Sequence, residues 1–86
     1  MRYVKIGDSY FNPMRIDRIK AAAEKNVNSY IPIVKVYLVG KTFHYDATDL
    51  DMHLAPMEFD EEWAALGAAD AMAEMVRKDI EGALNG

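Results

Sequence analysis

The chain has no cysteine among its 86 residues, which excludes a disulfide framework and a thiolate zinc site as staples for the fold. It also lacks any apolar run approaching the ~18–20 residues that a membrane span needs. Met1-Arg2-Tyr3-Val4-Lys5 opens without the apolar stretch of a signal peptide. No membrane partner is therefore expected, and the absence of cysteine suits a reducing cytoplasm, which is the expected location. Internal repeats and low-complexity segments are missing, and so is any motif that names a reaction.

Acids are scarce in one half of the chain and bases in the other. Residues 1–45 hold three acids (Asp8, Asp17, Glu24) against eight bases (Arg2, Lys5, Arg15, Arg18, Lys20, Lys25, Lys35, Lys41), a net +5. Residues 46–86 hold two bases (Arg77, Lys78) against eleven acids, a net −9, and the two halves sum to the −4 of the whole. Each half attracts what the other repels. The basic half therefore faces an anionic ligand, the acidic half of its own chain, or that of a neighbouring copy. A chain of this length makes one domain and buries only roughly 60–65% of the surface exposed when unfolded. With no covalent staple, self-association is the expected further source of stability.

The residue pattern predicts an α+β fold, a small antiparallel meander of about four strands followed by one long C-terminal helix. Three regions divide it: a basic sheet over 1–48, a connection over 49–59 and an acidic helix over 60–84. Residues 2–6 alternate, with Val4 and Ile6 opposite Tyr3 and Lys5, as in a half-buried strand. Gly7-Asp8-Ser9 is turn chemistry, and Tyr10-Phe11 resumes an extended run. Residues 13–25 admit two readings. Asn12-Pro13 fits an N-cap and first helical residue, with Ile16, Ile19, Ala22 and Ala23 on one helical face. Arg18 to Glu24 also alternates as a strand, with Asn26-Val27-Asn28-Ser29 as the following hairpin loop. Ile33 to Val39 is β-branched and alternating, Gly40-Lys41 turns it into Thr42 to Tyr45, and Asp46 to Pro56 is a polar connection. From Asp60, a candidate cap, the spacing of Trp63, Leu66, Ala73, Val76, Ile80 and Leu84 predicts helix. Glu61 and Glu62 sit at its positive end, and Gly82 or Asn85-Gly86 ends it.

Several constellations fail on inspection. Gly40-Lys41-Thr42 has the end of a phosphate-binding loop, but that loop needs glycine where Lys35 stands, and a helix where Phe43-His44-Tyr45 follows. Gly7-Asp8-Ser9 has the nucleophile block of the GDS-type lipases, which also use an Asp-x-x-His pair. Here Leu50 stands three residues before His53, so the serine has no base. Asp46, Asp49, Asp51 and His53 have metal-ligand composition without the glycine or closing glutamate of a calcium loop, and read as turn formers. No metal and no cofactor are assigned, and no enzyme is expected.

Two features remain. The first is the face that Tyr3, Lys5, Arg18, Lys20, Lys35 and Tyr37 would share, where bases interleaved with rings can pair phosphates and stack planar groups. Lys5, Arg18, Lys20, Lys35 and Tyr37 are the candidate ligand-binding residues; the alternative is a solvated face whose charges protect the sheet from aggregation. The second is the Ala- and Met-rich helix. Trp63, Leu66, Ala69, Met72, Ala73, Met75 and Val76 are the candidate oligomer interface, because small residues allow close helix approach and methionine adapts to its neighbour.

Tyr10-Phe11-Asn12-Pro13, the spaced Ile16 and Ile19, and the later Val36-Tyr37-Leu38-Val39-Gly40 segment resemble the flagellar regulatory proteins of the FlbD type and many short phage and prophage proteins. The likeness covers roughly residues 2–48. It implies a strand opened by the Asn-Pro step, then a hairpin and a closing helix, and favours strand over helix for 13–25. It implies no catalytic residues. The long Ala-Met helix after a polar connection departs from that pattern.

The expected function is a non-catalytic, oligomeric binding protein that holds a small anionic molecule of nucleotide type. The size and layout are those of phage sponges that sequester nucleotide signals of host defence, an analogy of architecture. The alternative is a protein-interaction module, an inhibitor or regulator acting through its acidic helix. The acidic half argues against long duplex nucleic acid.

Overall fold

Two antiparallel sheets and one long helix make up the computed structural model, which describes residues 1–86. Strands β1 (Val4–Ile6) and β2 (Ser9–Phe11) form a two-stranded hairpin. A 3-10 turn over Pro13–Arg15 leads into β3 (Ile16–Asn26), β4 (Ser29–Leu38) and β5 (Lys41–Tyr45), a three-stranded meander with β4 in the centre. After a long connection, helix α1 (Glu62–Asn85) closes the chain. The α+β class is as expected; the strands number five in two sheets rather than about four in one.

Residues 13–25 are strand apart from the turn that opens them. Asn12 accepts a bond from the Met14 amide at 3.0 Å and caps the 3-10 turn, so the Asn-Pro signal for helix initiation is obeyed for three residues only. A bulge between Ile16 and Arg18 then sets the alternation. Ile19 and Ala21 turn toward the helix beside Val36 and Val34, their cross-strand partners. Tertiary packing overrides the helix propensity of Ala21-Ala22-Ala23.

The core lies between the meander and α1. Val34 and Val36 are fully buried, with Phe43 and Tyr45 opposite them on β5. The small hairpin adds Val4, Ile6 and Phe11, and Phe11 meets Phe43 edge to face at 5.2 Å. From the helix come Ala65, Ala69, Met72, Ala73, Val76 and Ala83. This buried stripe is rotated from the expected one: Trp63 is 75% exposed, and Leu66 and Leu84 are also exposed. Alanines at 65, 69 and 73 bring the helix backbone close to the sheet, so the larger side chains fall outside the contact. The helix begins with Glu61 in the N-cap position and no side-chain cap, correcting the role assigned to Asp60, and Gly82 lies within it. No helix is long and apolar enough to cross a membrane.

The connection is anchored at both ends. Asp46 and Asp49 each accept a bond from the other's backbone amide, at 2.8 and 3.0 Å, which folds the turn after β5. Phe59 exchanges two backbone bonds with Tyr30, and Glu58 accepts from Ser29 Oγ at 2.7 Å and Asn26 Nδ2 at 3.1 Å. Between these anchors Leu50, Met52 and Leu54 pack against the core.

Candidate functional site: the open basic face of the sheet

Because β4 sends Val34 and Val36 into the core, alternation sends Ile33, Lys35 and Tyr37 to the other side of the sheet, which no helix covers. Ile33 is nonetheless buried there, and the face is open from the half-buried Lys35 and Tyr37 outward to β3. Register supplies their neighbours. Arg18, Tyr37 and Thr42 form one row across the three strands, and Lys20, Lys35 and His44 form the next. Directly opposed side chains on one face sit about 4.5–5.5 Å apart at Cβ. The Arg18 guanidinium lies over the Tyr37 ring, 4.3 Å from its centroid. Lys20 and Lys35 are opposed like charges, and neither has a carboxylate partner, since the chain's only ion pair joins Glu74 to Arg77.

The structure brings together Arg18, Lys20, Lys35 and Tyr37 from the predicted ligand set. It does not bring Lys5. That residue belongs to β1, in the separate hairpin, and lines a cavity of about 470 Å³ together with Asp8, Asp49, Asp51 and Asp79. Four carboxylates around one ammonium make that cavity hostile to an anion. Tyr3 lies outside the meander as well, just before β1, and is exposed. Sequence reading missed His44 as a member of the face. Its signal was the pairing of β5 with β4, which places His44 opposite Lys35.

Other sets separate more plainly. Ser9, His44 and Asp49 line one shallow cavity beside Tyr45, but the Asp49 carboxylate accepts from the Asp46 amide rather than orienting the imidazole. The Tyr45 phenol is pushed up from its ordinary value, first by burial and then by Asp49 and Asp8. No group of three acids or histidines converges as metal ligands. Of the predicted interface residues, Ala69, Met72, Ala73 and Val76 are buried within the chain's own core, leaving Trp63, Leu66 and Met75 exposed.

The face can therefore hold an anion by charge and stack a planar group on the Arg18–Tyr37 pair. No protein-family model, curated protein or solved structure matches the chain.

Proposed function

We propose that this chain is a non-catalytic binding protein that holds a small phosphate-bearing molecule of nucleotide type on the open face of its meander. The observation that carries this reading is the Lys20–Lys35–His44 row, where two unpaired ammonium groups stand opposite each other on the central strand pair. Like charges so placed are destabilising, and a bound phosphate turns that repulsion into attraction. Arg18 adds a planar, permanently charged donor set one row away. In this reading the ligand is sequestered without change, as a sponge for a nucleotide signal would do, and the protein works as an assembly of identical copies.

Thermal unfolding against a panel of mono-, di- and cyclic nucleotides tests it. A rise in melting temperature with one class, and recovery of that nucleotide intact after heat release, is the expected result. Recovery of a cleaved product would show turnover. No shift with any nucleotide, together with retention of one cellular protein through purification, would favour the interaction module instead. The exposed Trp63 beside Glu61 and Glu62 is the surface that such a module would use.

A further inference from the structure

Strand β3 forms one edge of the meander, and its outer edge is open along most of its length. The two-residue loop Val27-Asn28 closes on the pair Asn26–Ser29, which makes Asn26, Glu24, Ala22 and Lys20 the residues bonded to β4. Ile19, Ala21, Ala23 and Lys25 then point their amides and carbonyls outward. Arg77 confirms the phase, since its guanidinium donates to the Ile19 carbonyl at 3.0 Å. No backbone group elsewhere in the chain pairs with the rest of this edge. The strand contains no proline, and an unpaired edge of this kind is a template for another strand.

We propose that the occupant of this edge is β3 of a second copy, running antiparallel about a two-fold axis that passes between the two Ala22 residues. The edge is self-complementary. About that axis Lys20 of each copy stands directly opposite Glu24 of the other, on the open face of the sheet, and both side chains are exposed in the single chain. Ala21 exchanges backbone bonds with Ala23 of the second copy, and the reverse. Ala22 meets its own equivalent at the non-bonded position, where strands approach most closely and a small side chain fits. Centring the axis on Ala21 instead would oppose Glu24 to Arg18, which already lies on Tyr37. About the Ala22 axis Ile19 falls opposite Lys25 of the second copy, three residues out, so the carbonyl that Arg77 holds lies at the end of the new ladder. Leu66 lies eleven residues before Arg77, about three helical turns, so it shares the helix flank that overhangs this edge. It is 39% exposed in the single chain and is covered by the second copy.

The pairing gives substance to the self-assembly in the functional reading and locates it on the β3 edge instead of the helix. It makes one six-stranded sheet with both helices on one side and both basic faces on the other. Lys20 then has Lys35 of its own chain on one side and Glu24 of the second copy on the other, so the pairing offsets part of the Lys20–Lys35 repulsion, and Arg18, Lys35 and His44 are the groups left wholly to the anion.

Sedimentation of the full chain across the micromolar range, without nucleotide, tests the pairing separately from ligand binding. The wild type is expected to dimerise. Glu24→Lys opposes ammonium to ammonium in two symmetric pairs and should raise the dimer dissociation constant by at least about tenfold. The double swap Lys20→Glu with Glu24→Lys restores opposite charges and should restore the dimer. In a chain without cysteine, Ala22→Cys should form a disulfide-linked dimer on mild oxidation, because only this register brings the two Ala22 positions within bridging distance. A wild type that stays monomeric overturns both the pairing and the assembly. A dimer that Glu24→Lys leaves unchanged, that the double swap fails to restore, or that Ala22→Cys fails to link overturns the pairing and leaves assembly through another surface.

Discussion

Lys35 sits at the centre of the basic face with like charge on one side and an imidazole on the other. If the face exists to hold an anion, removing this charge should improve the empty protein while harming the loaded one. Lys35→Gln is expected to raise unfolding stability by about 0.2–1 kcal/mol through lost repulsion, and to weaken anion binding. Chemical denaturation and titration of the same variant check both signs. If stability falls or binding is untouched, Lys35 has only a structural or solvating role. Gly7 is constrained differently. Its φ of +61° disfavours a side chain, and an added Cβ would stand 2.6 Å from Cε1 of Tyr45. Gly7→Ala should therefore destabilise the fold by about 1–3 kcal/mol, read as a lower denaturation midpoint. A neutral effect would mean that the hairpin shifts freely against β5.

At the scale of elements, the helix and the β3–β4 hairpin show what the residue pattern could and could not convey. The existence and length of α1 were legible because apolar residues recur at helical spacing over more than twenty positions. Which stripe is buried was not, since the large side chains Trp63 and Leu66 drew the expected face away from Ala65 and Ala69. Packing distance, a property of the sheet it meets, decides that. Met72→Ala removes a side chain that is 1% exposed and should cost about 2–5 kcal/mol. Trp63→Ala should change the stability of the single chain by no more than about 0.5 kcal/mol. Similar losses for the two would contradict this orientation of the helix. The strand nature of 16–26 depended on pairing with β4 and on packing against α1, neither of which local propensity reports, so it was left open. Lys5 was misplaced for a related reason, because alternation within β1 does not say which sheet the strand joins. The anchor between this hairpin and the connection is the Glu58 carboxylate, held below its ordinary value of 4.5 by bonds from Ser29 and then Asn26. Its folded value is depressed, so its contribution to stability is present above that ordinary value and is lost as pH falls through the folded one. Glu58→Ala should melt lower than the wild type at neutral pH, and the gap should close on acidification. A gap that stays constant down to strongly acid pH would show that the charge of Glu58 is not what holds the connection.

For the whole molecule, the division of charge along the chain carries into the fold only in part: Arg18, Lys20 and Lys35 share the open face, but Glu24 lies on it too and Lys5 stands among four aspartates. The base-rich segment builds the sheet and its open face, while the acids collect on the connection and the outer helix. No ion pair joins the two, as the lone Glu74–Arg77 contact lies within the helix itself. The basic face is thus not neutralised from within, and the proposal follows that its counter-charge comes from a small anion. Calorimetric titration of the wild type and Arg18→Ala with the nucleotide panel is the most direct measurement. Saturable binding of one nucleotide class by the wild type is expected. Loss of a charge-assisted bond worth roughly 1.5–3 kcal/mol should weaken that binding about tenfold to a hundredfold in Arg18→Ala, with the fold intact. A flat titration across the whole panel, or equal affinity in the two proteins, would contradict it.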